Sequence, residues 1–272
     1  MAVALPDLDA SIVPRRTSDP AEARRSMASE GACVLTGLPT GQASAAALAR
    51  LVLGDEVIAA PEPIAVREGG DRDRKVREEA AHEVPLPMHT DGFTYGHDMP
   101  DAMFLLCDRD SAAGGESVLI DDLAVLDALR ASPDPAAARL VRLMEATVLD
   151  LTSPGMVPRT GTMAFAAPSG RPAVWLGALS DCCRPTDDDP DPAGTEAAFG
   201  EVVELFERLR GQARRFRVGP GEAVCVDNYR VSHSRDAYVD LDRLFWRVWA
   251  WTADTVGVPE GRLASDTRYA KA

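Results

Sequence analysis

Met88-His89-Thr90-Asp91-Gly92 places an imidazole and a carboxylate two residues apart. On an extended segment, residues i and i+2 point to the same face, so both can ligate one ion. The pair alone is weak evidence. A chain with four histidines and 43 acidic residues supplies roughly 0.6 such spacings by chance. A surface His beside a turn Asp therefore remains open at this point. His233 shifts the balance. It closes Val224-Cys-Val-Asp-Asn-Tyr-Arg-Val-Ser-His233, an apolar strand followed by a turn. Two His and one carboxylate leave three positions of a metal open, which is the donor set of non-haem Fe(II) oxygenases. A structural zinc site would want four protein ligands, usually including Cys.

Ten residues beyond His233, the stretch Arg243-Leu-Phe-Trp-Arg247-Val-Trp-Ala-Trp-Thr252 sets two arginines among aromatics. Burying a guanidinium without a partner is costly. A bound carboxylate is a natural partner for its planar fork. Asp240 and Asp242 are the alternative partners within the chain.

Moving outward, the 272 residues have 46% hydrophobic content, enough for a full core, and disorder is excluded as the dominant state. One domain over 1–272 is expected, with a mobile loop at 67–83 and a lid-like insertion at 181–211. The formal net charge of −14 argues against a nucleic-acid partner, which would need a basic stripe. No apolar run approaches the ~20 residues of a spanning helix. Asp7 and Asp9 interrupt what would be the apolar part of a signal peptide, so a cytoplasmic location is expected. The five cysteines include no CxxC pair, and free thiols are expected.

Helices are expected from Pro20 to about Glu30, capped by Asp19, and from Ser44 to Leu53, capped by Ser44. Others are expected over Asp121 to Leu129, Pro135 to Met144 and Thr195 to Arg210. Short strands are expected at Ala32 to Thr36, Ala102 to Cys107, Glu116 to Ile120, Thr147 to Leu151, Met163 to Ala166, Ala173 to Leu176, Phe216 to Val218, Ala223 to Val226 and Arg243 to Thr252. Many short strands with helices at the front and in an insertion favour a β-sandwich or barrel with helical decoration. There is no GxGxxG, P-loop or GxSxG elbow.

His89-Thr-Asp91-Gly, Pro100-Asp-Ala-Met-Phe-Leu-Leu-Cys107, Gly114-Gly-Glu-Ser117-Val-Leu-Ile-Asp121 and Asp227-Asn-Tyr-Arg-Val-Ser-His233-Ser-Arg235, followed by Arg243 and Arg247, together resemble the TauD/TfdA and clavaminate-synthase-like Fe(II)/2-oxoglutarate dioxygenases. The resemblance implies a double-stranded β-helix, the jelly-roll or cupin-like barrel, with a helical N-terminus. It implies Fe(II) held by His89, Asp91 and His233, with 2-oxoglutarate and O2 as co-substrates. It assigns Ser117 and Arg243 to the far carboxylate of 2-oxoglutarate, and Arg247 to an anionic group of the substrate. The loop between His233 and Arg243 is shorter than in clavaminate-synthase-like members. Related halogenases replace the carboxylate ligand by Ala or Gly, so the intact Asp91 points to oxygen chemistry.

The expected reaction is hydroxylation of an unactivated C–H bond in a small carboxylate-bearing molecule, in a role consistent with specialised metabolism. Desaturation or ring closure would use the same cofactors. The acidic run Asp187, Asp188 and Asp189 in the insertion suggests a free basic amino acid as substrate, against a plain solvated loop. A zinc hydrolase would leave Ser117 and Arg243 unexplained, and a non-catalytic cupin-like binding protein would make the His pair incidental. His97, close to the metal pair in sequence, is expected to be a loop residue, as is His82.

Overall fold

The computed structural model describes residues 3, 5, 8–66, 84–152, 157–177, 183–240 and 242–259. The expected loop at 67–83, with His82, lies outside them, as do the first residues of the expected insertion.

The strands are β1 (Arg16–Thr17), β2 (Ala32–Leu35), β3 (Val57–Ala59), β4 (Ile64–Val66), β5 (Ala102–Arg109), β6 (Ser117–Asp121), β7 (Leu149–Asp150), β8 (Thr160–Gly161), β9 (Ala164–Ala166), β10 (Pro172–Val174), β11 (Arg184–Pro185), β12 (Ala223–Asp227), β13 (Val231–Arg235) and β14 (Leu244–Thr252). The α-helices are α1 (Pro20–Glu30), α2 (Gln42–Leu53), α3 (Asp122–Ala131), α4 (Pro135–Ala146) and α5 (Pro192–Gln212). A short 3-10 segment, Phe93–Asp98, follows the His89–Asp91 motif.

The larger sheet runs β1-β2-β12-β5-β14-β3, with β4 also paired to β14. Its central strands alternate strictly, as a sheet covered on both faces by different layers requires. Ala32, Val34, Met103, Cys107, Val224, Val226, Phe245 and Trp249 point inward. Cys33, Leu35, Phe104, Leu106, Cys225 and Val248 point outward, against α1 and α2.

The smaller sheet is built on the antiparallel pair β13 and β6. Residues 84–89 extend it along β13, through Leu86 N–H to Arg235 O and the paired backbones of His89 and His233. Leu119 and Val231 on its inner face share a core with the inner residues of the larger sheet. Val118 and Ile120, on its other face, pack under α3, α4 and α5. Two sheets closed over one apolar interior, with helices outside, make the expected jelly-roll barrel.

Several boundaries follow simple chemistry. Asp19 accepts from the Ala21 N–H with Pro20 in the first turn, and Gly31 ends α1 at φ 84°. Asp121 and Asp134 cap α3 and α4 in the same way. Three expectations need correction. Helix α5 begins at Pro192, capped by Asp191, three residues before the expected Thr195. Helix α2 begins earlier than Ser44, at Gln42, behind Gly41 at φ 93°, with no side-chain cap. Phe216 to Val218 forms no strand; Phe216 makes a single bridge to Ser117.

Cys33, Cys107 and Cys225 are free and buried, and Cys183 is buried, while Cys182 lies outside the described residues. No helix among the described residues is long and apolar enough to cross a membrane.

Candidate metal centre

His89, Asp91 and His233 are all buried and bring one ligand atom each to within 4.8 Å of one another. The barrel brings His233 and His89 together by pairing their backbones on neighbouring extended segments. Asp91 follows on the turn into the 3-10 segment. Gly92 sits there at φ 71°, and a Cβ would meet Pro100 at 2.3 Å, so a side chain is excluded.

The backbone of Asp91 is held by Asn228, a fully buried residue in the turn between β12 and β13. Asn228 Oδ1 accepts from Asp91 N–H at 2.9 Å, and its Nδ2 donates to Asp91 O (2.9 Å) and Pro100 O (2.7 Å). The turn that leads into the His233 strand thus also fixes the Asp91 loop.

The donor chemistry fits a divalent metal. His89 Nδ1 lies 2.9 Å from Pro87 O. Donating there leaves Nε2 as a lone-pair ligand. The Nε2 atoms of His89 and His233 lie 3.7 Å and 3.8 Å from Asp91 Oδ1. Burial is the main cause that lowers His233, to about 3, so its ring is neutral at ordinary pH. Burial acts to raise Asp91, but the Arg247 guanidinium and the two imidazoles outweigh it and hold the carboxyl below the usual range. A neutral imidazole beside an ionised carboxylate is what a metal requires.

The larger sheet supplies the rest of the site from β14 and from Arg243 just before it. Arg247 Nη1 donates to Asp91 Oδ1 at 3.2 Å, and Trp249 Nε1 donates to Asp91 Oδ2 at 2.8 Å. Arg243 is only 7% exposed. Its guanidinium lies over the rings of Phe245 (4.0 Å) and Tyr238 (4.8 Å) and donates to Gly115 O. Burial lowers its pKa. Neither Asp240 nor Asp242 reaches it with a carboxylate; among the described residues the nearest is Asp110, at 3.8 Å. Its Nε is buried without a hydrogen bond. Ser117, half-buried on β6, shares the inner face with Leu119 and stands opposite Arg235 in register.

The acidic run lies elsewhere. Asp187 and Asp188 are exposed in a turn, and Asp189 Oδ1 accepts from the N–H of Asp191, which caps α5. None of the three is hydrogen-bonded or ion-paired to the metal cluster. The other end of α5 is the one that reaches it, where Glu207 accepts from Met88 N–H at 3.0 Å. From Pro192 to Glu207 the helix rises about 22 Å.

His97 is half-buried rather than a free loop residue. Its ring stacks on Phe165 at 4.1 Å, and Nε2 lies 2.7 Å from Thr162 O. Sequence reasoning also passed over Asn228 and Trp249. Both stand inside the quoted motifs, and Trp249 occupies the position after Arg247 with the same strand parity.

Such a cluster within such a barrel defines a class of metal-dependent oxygenase. The family model of the taurine catabolism dioxygenase TauD, TfdA family matches residues 6–249, and the chain belongs to that family. It is an Fe(II)- and 2-oxoglutarate-dependent dioxygenase, and the zinc-hydrolase and binding-barrel readings fall away. No curated protein matches the chain by sequence.

Among solved structures, an asparagine oxygenase in complex with Fe(II), 2S,3S-3-hydroxyasparagine and succinate shares the fold, with a TM-score of 0.58 at 18% identity over 88% of this chain and 83% of that one. The non-haem iron oxygenase OrfP in complex with Fe, succinate and (3S)-hydroxy-L-Arg gives 0.56 at 14% identity, over 86% and 79%. AAD-2 in complex with Mn(II) and N-oxalylglycine gives 0.60 at 15% identity, over 90% and 91%.

Proposed function

We propose that the protein hydroxylates a C–H bond of a small carboxylate-bearing molecule, a free amino acid being the first candidate. The observation that carries this is the buried convergence of His89, Asp91 and His233 beside a buried arginine that no carboxylate among the described residues approaches more closely than 3.8 Å. In this reading the two Nε2 atoms and one oxygen of Asp91 hold Fe(II). Bound there, the iron supplies the redox chemistry by which O2 converts 2-oxoglutarate to succinate and CO2 and oxidises the substrate.

The chain's own residues do the rest. Arg243, desolvated by Phe245 and Tyr238, receives the distal carboxylate of 2-oxoglutarate, with Ser117 as its companion. A fork in so dry a setting gains more from a carboxylate than an exposed one would. Arg247 is proposed to meet a substrate carboxylate. The apolar inner wall of Trp249, Tyr95 and Phe93 excludes water from the reacting centre. Structural neighbours that carry a hydroxylated asparagine and a hydroxylated arginine support an amino-acid substrate. A basic amino acid drawn by Asp187, Asp188 and Asp189 is the narrower form of the proposal, with those residues acting from a lid-like insertion.

The test is a screen of free amino acids with the Fe(II)-loaded protein and 2-oxoglutarate, read by succinate release and product mass. Gain of one oxygen with one or a few amino acids is expected. Loss of two hydrogens would replace hydroxylation by desaturation. Succinate release with no amino acid would remove this substrate class. Unchanged turnover of basic amino acids after Asp187, Asp188 and Asp189 are together changed to Asn would remove the narrower form.

A further inference from the structure

The Asp91 carboxylate is gripped from one side by a single strand. Its Oδ2 accepts from Trp249 Nε1 at 2.8 Å, while Oδ1 accepts from Arg247 Nη1 at 3.2 Å and faces both imidazole Nε2 atoms. Arg247 and Trp249 are two residues apart on β14, hence on one face. The guanidinium lies 4.7 Å over the indole. The indole itself is 4% exposed and edge-on to Tyr95 and Trp251, with centroids 6.1 Å and 6.2 Å away. A tryptophan N–H can only donate. The direction of this bond is therefore fixed, and the ring that makes it is wedged between two others.

We propose that Trp249 is a positioning residue for the metal: its indole N–H occupies Asp91 Oδ2, so that Oδ1 alone is offered to the ion. This rests on the metal-centre reading above. A carboxylate turning freely about its Cβ–Cγ bond can offer either oxygen or both. Committing one oxygen to a buried donor leaves a single-oxygen ligand. The ion then keeps the vacant positions that a chelating 2-oxo acid and O2 need. Arg247, stacked on the indole, holds the ring against the carboxylate. The cost of losing the N–H falls on the ligand, because Oδ2 would be left buried and unpaired.

The experiment titrates Co(II) into the wild-type protein and the Trp249→Phe, Trp246→Phe and Asp91→Ala variants, following the visible ligand-field absorption and the heat of binding. Trp246 donates instead to Asp108 on the outer face and serves as the control. Expected are binding by wild type and Trp246→Phe, loss in Asp91→Ala, and about 10- to 100-fold weaker binding with an altered spectrum in Trp249→Phe. Wild-type affinity and spectrum in Trp249→Phe would overturn the proposal and leave the metal centre standing. Absence of binding by the wild type would overturn both.

Should Trp249→Phe fail to fold, the indole 1H–15N signals of the native protein decide, assigned by elimination with the Trp175→Phe, Trp246→Phe and Trp251→Phe variants. The Trp249 proton is expected to exchange slowly and to shift when Zn(II) binds. A fast-exchanging or unmoved signal would overturn the proposal.

Discussion

His89 and His233 form a reciprocal backbone pair: His89 N–H donates to His233 O at 3.1 Å and His233 N–H donates to His89 O at 2.9 Å. Their rings stand 4.4 Å apart by centroid. Two donors far apart in sequence thus owe their proximity to main-chain ladder bonds, not to the metal they would share. The centre is assembled by the same pairing that closes the smaller sheet.

That separation of duties predicts the behaviour of His233→Ala. The ladder bonds survive, because they are backbone, and a buried ring whose Nδ1 has no hydrogen-bond partner is removed. Thermal unfolding is expected within a few degrees of wild type. Metal affinity should fall by more than the roughly 100-fold typical of outer-shell changes. Calorimetric titration with Co(II) beside a melting curve checks both; retained affinity would reject His233 as a ligand.

Arg243→Ala is expected to act on the co-substrate. Losing a charge-assisted fork in a desolvated setting is worth about 1.5–3 kcal/mol, hence a rise of roughly 10- to 100-fold in the KM for 2-oxoglutarate. Arg243→Lys should recover only part of this, since an ammonium cannot present two parallel donors. Steady-state succinate release at varied 2-oxoglutarate measures the effect. An unchanged KM in Arg243→Ala would move the carboxylate site elsewhere.

Asn228→Ala should cost both stability and metal binding. Three hydrogen bonds vanish from a fully buried side chain, and the Asp91 N–H and O lose that partner. A loss of about 2–4 kcal/mol is expected, since each buried group left unpaired costs about 1–3 kcal/mol. Urea unfolding of the metal-free proteins gives the number, and a change below about 0.5 kcal/mol would show that the loop holds its shape without the amide.

Asp122 provides a pH dependence through a group outside the metal cluster itself. It is fully buried in the first turn of α3, Oδ1 accepts from Ser232 Oγ, and Oδ2 has no partner. Burial, the leading cause, raises its pKa well above the ordinary value. An acid whose folded pKa is raised binds its proton more tightly in the native state. Its contribution is therefore complete below the unfolded pKa of about 3.9 and is lost as pH rises through the folded value. Asp122→Asn does not titrate, so its stability relative to wild type should grow from pH 4 to pH 7. Urea midpoints of the two proteins across that range decide; a constant gap would mean that Asp122 titrates normally.

Much of this was legible before any coordinates, for reasons that can be named. The strands of the larger sheet announce themselves as apolar runs, because β5 and β12 are covered on both faces. Helices α1 and α4 carry Asp-Pro starts whose chemistry is local. The clustering of His89, Asp91 and His233 was legible because imidazole is scarce in this chain and the i, i+2 spacing is a property of extended backbone. What escaped depends on tertiary placement. The α2 start is set by Gly41 and not by the better-capping Ser44. Residues 84–89 carry no strand signature and join the smaller sheet only because β13 offers its edge. Arg247 reads as an arginine in need of an anion, and among the described residues it pairs with Asp91. The Trp249 N–H had no visible partner in the sequence, since its acceptor lies 158 residues away.

The inner face of β14 behaves as a ruler. Phe245 beneath Arg243, and Arg247 and Trp249 beside Asp91, are graduations at a fixed pitch, every second residue. Side chains on such a ruler can be exchanged singly, but its length cannot. One residue inserted between Phe245 and Trp249 would turn the indole outward and an apolar neighbour inward. New specificities built on this scaffold must therefore come through substitutions and through the flanking loops, with β14 altered in length only by twos.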